Sequence, residues 1–228
     1  MVQTWTERTH EAINGKRGRL LIWSFLCAVI LESSALLDPT LYGAKADSVQ
    51  AIVFLLCTIV VSFMLYPIII GYHWVILSII RGQDAQFRDV FRPMKERFGK
   101  HVTAVILLAI FQTLWTLLFI VPGIMKFFSY AFTYFILRDE PALSVRESIT
   151  KSRALMHGQK WDAFKLILPF IPIYLIGFTL FTVVNSVLLA AFSLSIATVL
   201  IRPFVVSRFA VMYEDTRRAY DEQWNKPA

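Results

Sequence analysis

The chain has 228 residues, of which 57% are hydrophobic, 14% aromatic and 17% charged, and its formal net charge is +7. Soluble domains carry about a quarter charged residues, so this composition excludes an ordinary water-soluble globule and predicts an integral membrane protein. The basic excess does not call for nucleic acid as a partner, because Lys and Arg gather beside the apolar runs, where positive-inside bias places them.

Lys16, Arg17 and Arg19 precede "LLIWSFLCAVIL", the layout of a secretory signal with Ser33-Ser34-Ala35 as its cleavage region. Glu32 and the bulky Leu36-Leu37 make that cleavage site poor. The segment therefore reads as an uncleaved first span over about 20–37. Val49 to Ile80 contains no charged residue and supplies the second span, within 49–80. Cys27 and Cys57 both lie in apolar runs and read as packing residues rather than a disulfide or metal pair.

The block "FRDVFRPMKERFGK" follows, with Phe87, Phe91, Met94 and Phe98 at helical spacing and Arg88, Arg92 and Lys95 opposite them. It predicts an amphipathic interfacial helix over 87–98, bent or split at Pro93. Such a stripe serves equally well for packing against the floor of the bundle.

Val102 to Leu137 carries a single charge, Lys126. One continuous helix of that length would be roughly 54 Å long, against a hydrocarbon core of about 30 Å. Pro122 and Gly123 therefore read as the tip of a helical hairpin, spans 102–121 and 124–138, with Lys126 reaching the far headgroups. The competing reading is a kinked helix with a re-entrant half.

Pro141, then Ser144 with Glu147 three residues on, and Gly158 at the far end mark a capped helix over 145–157. Val145, Ile149, Ser152 and Met156 share one face, and Arg146, Thr150, Arg153 and His157 share another. Lys160 extends the basic side, so Arg146, Arg153 and Lys160 join Arg88, Arg92 and Lys95 as the basic inner face, with anionic lipid as its expected partner. Leu166 to Ile201 is uncharged and splits near Asn185 into spans 166–182 and 188–209.

The sum is a single all-α domain, a six-span bundle with both termini inside. Twenty-one Lys and Arg fall on the proposed inner side, against Lys45 and Lys126 outside. "NGKRGRLLI", "FGKHVTAVI" and "HGQKWDAFKLI" each place Gly, then Lys, before an outgoing span, which fits three pseudo-repeated hairpins.

Candidate chemistry is sparse. Glu32 lies in the first span and His73 near the inner end of the second. Asn185 marks the last split, and Arg202 lies in the inner part of span six. An intramembrane ionisable group is a functional candidate by default, yet an interfacial position for Glu32, an aromatic-belt position for His73 and snorkelling for Arg202 explain all three. No catalytic, cofactor-binding or metal-ligating constellation appears.

The stretch 114–166 carries Pro122, Gly123, Lys126, Ser129-Tyr130, Pro141, Ser144, Glu147, Ser152-Arg153, Met156, Gly158 and Lys160-Trp161. In these elements, and in the earlier "FRDVF" and late "MYEDTR", the chain resembles the bacterial multi-pass membrane proteins grouped as domain of unknown function 975. It is also broadly similar to the membrane domains of some glycerophosphodiester phosphodiesterases, without their soluble hydrolase domain. Pro169 and Pro172 depart from the family pattern. The resemblance implies a protein of the bacterial cytoplasmic membrane and no assigned activity. The expected role is a non-catalytic scaffold or accessory in lipid or envelope processes, with a membrane-protein partner or a second copy of the chain. A small transporter or permease component is the alternative.

Overall fold

A computed structural model describes residues 1–33, 49–183 and 187–224; Lys45 and Asn185 lie outside these residues. Among the described residues every regular element is helical. Five helical stretches are long and apolar enough to cross a membrane: Val49–Ile80, Phe98–Leu118, Ile120–Asp139, Lys160–Thr179 and Ser195–Glu222.

The chain begins with α1 (Val2–Ile13), which the sequence reading missed. Trp5, Thr9 and Ile13 recur at four-residue spacing and are its buried face. Trp5 Nε1 and Arg8 both donate to Asp215, clamping α1 to the last helix. Gly15, at φ +72°, turns the chain into α2 (Arg17–Glu32), where Leu20, Trp23 and Cys27 face inward. Glu32 is the last residue of this helix.

The uncharged run is two helices, α3 (Val49–Leu65) and α4 (Pro67–Ile80), divided where Pro67 opens the second. Most of α4 is buried, and it forms the centre of the molecule. The expected helix over 87–98 is instead a 3-10 turn, Phe87–Phe91, and a single helical turn, α5 (Arg92–Lys95). Pro93 causes the split, as the sequence indicated. The aromatic stripe packs inward: Phe87, Phe91 and Met94 sit against the core around Val90, while Arg88, Arg92 and Lys95 are exposed.

Helices α6 (Phe98–Leu118) and α7 (Ile120–Tyr130) form an antiparallel hairpin. Trp115 meets Lys126 and, four residues back, Phe111 meets Tyr130. The turn is not at Pro122-Gly123. Phe119 alone leaves helical geometry, at φ −160° and ψ 142°, while Pro122, Gly123 and Lys126 lie inside α7. Gly123 serves the hairpin differently from the expected turn: a Cβ there would stand 2.8 Å from Thr116 Oγ1 and 2.9 Å from Thr116 Cα. Its missing side chain lets the two helices touch, and Gln112 Nε2 donates to the Gly123 carbonyl at 3.0 Å.

A one-turn interruption separates α7 from α8 (Thr133–Asp139). The buried Ser152 hydroxyl bridges it, accepting from Phe132 N–H at 3.1 Å and donating to the Ser129 carbonyl at 2.9 Å. Ser152 belongs to α9 (Val145–Leu155), whose Ser144–Glu147 capping box is present as the sequence spelled it. Val145, Ser148, Ile149, Ser152 and Leu155 are the buried face of α9. Gly158, at φ +78°, leads into α10 (Lys160–Ile167), and a short 3-10 turn at Pro169 leads into α11 (Ile171–Val183). The last element, α12 (Val187–Trp224), is 38 residues long with Pro203 inside it. Its C-terminal half is the post on which α1, α4 and α10 stand.

Candidate functional site

Among the described residues, three features stand out: an ionic network, a central apolar cavity and a basic groove.

The network joins the C-terminal ends of α4 and α8 to the body of α12. The Asp139 carboxylate, 5% exposed, accepts from Arg81 (2.5 Å) and Arg217 (2.5 Å) and from the Tyr213 hydroxyl (3.0 Å). Arg81 also donates to Glu214. The hydrogen bonds that Arg81 donates to Asp139, ahead of all other influences, push its guanidinium above its usual range. Every charge here has an opposite partner in contact. It is a clasp, three of whose members, Tyr213, Glu214 and Arg217, lie in the "MYEDTR" stretch of the sequence.

The cavity, about 410 Å³, is lined chiefly by aromatic and aliphatic side chains from α3, α4, α6, α7, α8 and α12. His73 lines it, so it is interior rather than part of an aromatic belt. Its ring bonds the Ile69 carbonyl through Nδ1 at 2.7 Å and stands edge-on to Tyr134. Arg202 does not snorkel fully: its Nη1 is buried with no partner among the described residues. Arg202 does not line the cavity that His73 lines, so the two do not form a shared site.

The groove gathers Lys126 and three of the basic residues expected on the inner face, Arg146, Arg153 and Lys160. Lys126, Arg153, His157 and Lys160 line a depression of about 610 Å³, with Ser129, Thr150 and Ala154 between them. A second lobe, about 390 Å³, shares Lys126, Thr150 and Arg153 and adds Arg146, Phe111, Trp115, Tyr130 and Ile149. Lys126 Nζ sits 4.3 Å from the Trp115 ring centroid. Among the described residues, none of Lys126, Arg146, Arg153 and Lys160 has an acidic partner within 4.0 Å. Acids on the same elements are engaged elsewhere. Asp162 pairs with Lys165, and Glu147 completes the Ser144 cap, whose hydrogen bonds hold its carboxyl below the usual carboxylate range. Arg88, Arg92 and Lys95 stand apart on the 3-10 turn and α5, where Arg92 is paired with Glu96.

This arrangement corrects the sequence reading of Lys126. The side chain was expected at the far headgroups, across the bilayer from Arg146, Arg153 and Lys160; all four line one groove. Packing supplies the reason: α7 lies against α9, which carries Arg146 and Arg153, and against α10, which carries Lys160. The hairpin tip follows at Phe119. It is wholly apolar and exposed, with Leu117, Phe119 and Ile120 at 78%, 67% and 73%. On the flank of α7, Ile124, Met125 and Phe127 are exposed, as is Trp161 at the start of α10.

A family model described as "Protein of unknown function (DUF975)" matches residues 120–219. The match takes in α7 to α11 and most of α12, and so the greater part of the groove and four of the clasp residues, Asp139, Tyr213, Glu214 and Arg217. No curated protein and no solved structure matches the chain.

Proposed function

We propose that this chain, whose residues 120–219 belong to the family of unknown function DUF975, is a non-catalytic scaffold or accessory in lipid or envelope processes that engages anionic lipid. The carrying observation is the groove of four cations without acidic partners, set beside exposed apolar surface. Each such cation near an anionic leaflet adds about 1 kcal/mol of attraction. The groove offers little that supports catalysis: the Ser129 hydroxyl donates to the Met125 carbonyl, and His157 is exposed among cations. The polar atoms lining the central cavity also favour this reading over transport, since His73 and Gln112 both bond within the chain.

The finer topology we assign is a bacterial cytoplasmic-membrane protein with both termini cytoplasmic, after the charge asymmetry of the sequence. Six crossings as three repeated hairpins would use α2, α3 with α4, α6, α7 with α8, α10 with α11, and α12. The shared groove of Lys126 and Arg153 favours a variant in which 98–139 enters and returns on the cytoplasmic side. Either arrangement keeps the termini together. Single cysteines at 45 and 185, in a background lacking Cys27 and Cys57, should label from outside, and those at 90, 150 and 222 should not. Position 124 separates the two: it labels from outside in the six-crossing arrangement and is protected in the re-entrant one. Outside labelling at 150 would sink both.

The lipid reading is checked with the full chain in nanodiscs. Phosphatidylglycerol should be retained over phosphatidylcholine, with the preference shrinking as salt rises. Equal retention of the two would remove the proposal.

A further inference from the structure

The charge and shape of the groove specify more than a generic anionic surface. Resting on the lipid reading above, we infer that it is a site for a lipid whose headgroup ends in a phosphomonoester, with the headgroup in the polar lobe and the start of its chain against Trp115 and Phe111.

Four unpaired cations converge on this groove from three helices: Lys126 on α7, Arg146 and Arg153 on α9, and Lys160 on α10. A phosphodiester headgroup brings one negative charge and two terminal oxygens. A phosphomonoester brings a charge of about −1.5 to −2 at neutral pH and three terminal oxygens. The second is the better complement to several donors on different sides, since charge-assisted bonds from Arg and Lys to phosphate are the strong ones. The Thr150 hydroxyl, shared by both lobes, supplies a further donor.

The ligand is a lipid rather than a free phosphate because of what adjoins the cations. The second lobe is walled by Phe111, Trp115, Tyr130 and Ile149, with Lys126 bridging onto the Trp115 ring. Exposed Ile124, Met125 and Phe127 follow along α7, and Trp161, 67% exposed, stands beside Lys160. A ligand in the second lobe meets aromatic rings and cations together, the profile of a lipid's chain and headgroup. A soluble anion gains nothing from the aromatic lobe.

The test uses the full chain in phosphatidylcholine nanodiscs doped with either phosphatidic acid or phosphatidylglycerol of the same acyl chains. Lipid retention is read by native mass spectrometry. Phosphatidic acid should be held about tenfold more tightly, and its advantage should fade as pH falls below about 6, where the second phosphate ionisation reverses. Arg153→Gln and Lys160→Gln, both at exposed or half-exposed positions, should each abolish the advantage with helicity unchanged. Arg218→Gln, 68% exposed and outside the groove, should leave it intact. Equal retention of the two anionic lipids, both above phosphatidylcholine, would overturn this inference while leaving the lipid-binding proposal standing. Equal retention of all three would overturn both. Displacement of phosphatidic acid by equimolar inorganic pyrophosphate would show a soluble-phosphate site and overturn the lipid assignment. An advantage surviving in both Gln variants would place the site elsewhere.

Discussion

Asp139→Ala should be among the most destabilising single substitutions in this protein. Its carboxylate, 5% exposed, is the shared acceptor for Arg81 and Arg217, with the Tyr213 hydroxyl as a third donor. Removing one member of a buried pair costs about 3–5 kcal/mol, because the remaining charge is left without compensation. Arg81 would keep Glu214, but Arg217 would keep only Asp221, at 3.7 Å and 51% exposed. The thermal midpoint in detergent should fall by at least about 6 °C. Asp221→Ala, at that exposed pair, should change it little, since such pairs contribute about 0–1 kcal/mol. Equal midpoints for the two variants would mean that the clasp does not hold α4, α8 and α12 together.

What could be read from sequence was local. The all-helical class follows from long uncharged runs, and the α9 cap follows from Ser144 and Glu147 three residues apart, a signal complete within four positions. The burial of Val145, Ile149 and Ser152 follows from the 3.6-residue period. The division at Pro93 follows from one residue's missing N–H and fixed φ. The N-terminal helix was also legible, since Trp5, Thr9 and Ile13 carry the same spacing that identified α9.

The rest depended on contacts between distant segments. Nothing about Phe119 marks a turn. Its extended backbone fits the close approach of Gly123 to Thr116, a relation between two helices rather than within either. A hairpin tip at Pro122-Gly123 would carry Lys126 to the far side, but Pro122 and Gly123 both lie inside α7. The place of Lys126 beside Arg153 and Lys160 depends on the packing of α7 against α9 and α10. Asp139 and Arg81 lie at helix ends, where charges ordinarily meet water, and Glu214 lies within α12. Only their convergence distinguishes a clasp from boundary residues. Arg202 was read as reaching an interface, and the packing around α12 leaves its Nη1 enclosed.

The basic face of 87–98 also depends on a single position in another helix, and this gives the second large expected effect. Gly71, in the buried α4, has no Cβ to hold off the 3-10 turn. A Cβ built there would lie 1.8 Å from the Val90 carbonyl oxygen and 2.6 Å from its carbon. The obstacle is backbone, so no side-chain rotation relieves it. Gly71→Ala must push Phe87–Phe91 off α4, drawing Val90 (0% exposed) out of the core and loosening Phe87 and Phe91. Overpacking a well-filled site costs about 1–3 kcal/mol when side chains can adjust and more when they cannot, so a loss of about 3 kcal/mol and a midpoint lower by about 6–12 °C are expected. Arg88, Arg92 and Lys95 ride on this turn and α5, and limited proteolysis should speed up across 84–97. Gly18→Ala is the control: nothing lies within 4 Å of its Cβ position in α2, and alanine is the better helix former by about 1 kcal/mol. Its midpoint should hold or rise. If Gly71→Ala melts with the parent chain and 84–97 stays protected, the turn is not seated on α4 through that glycine.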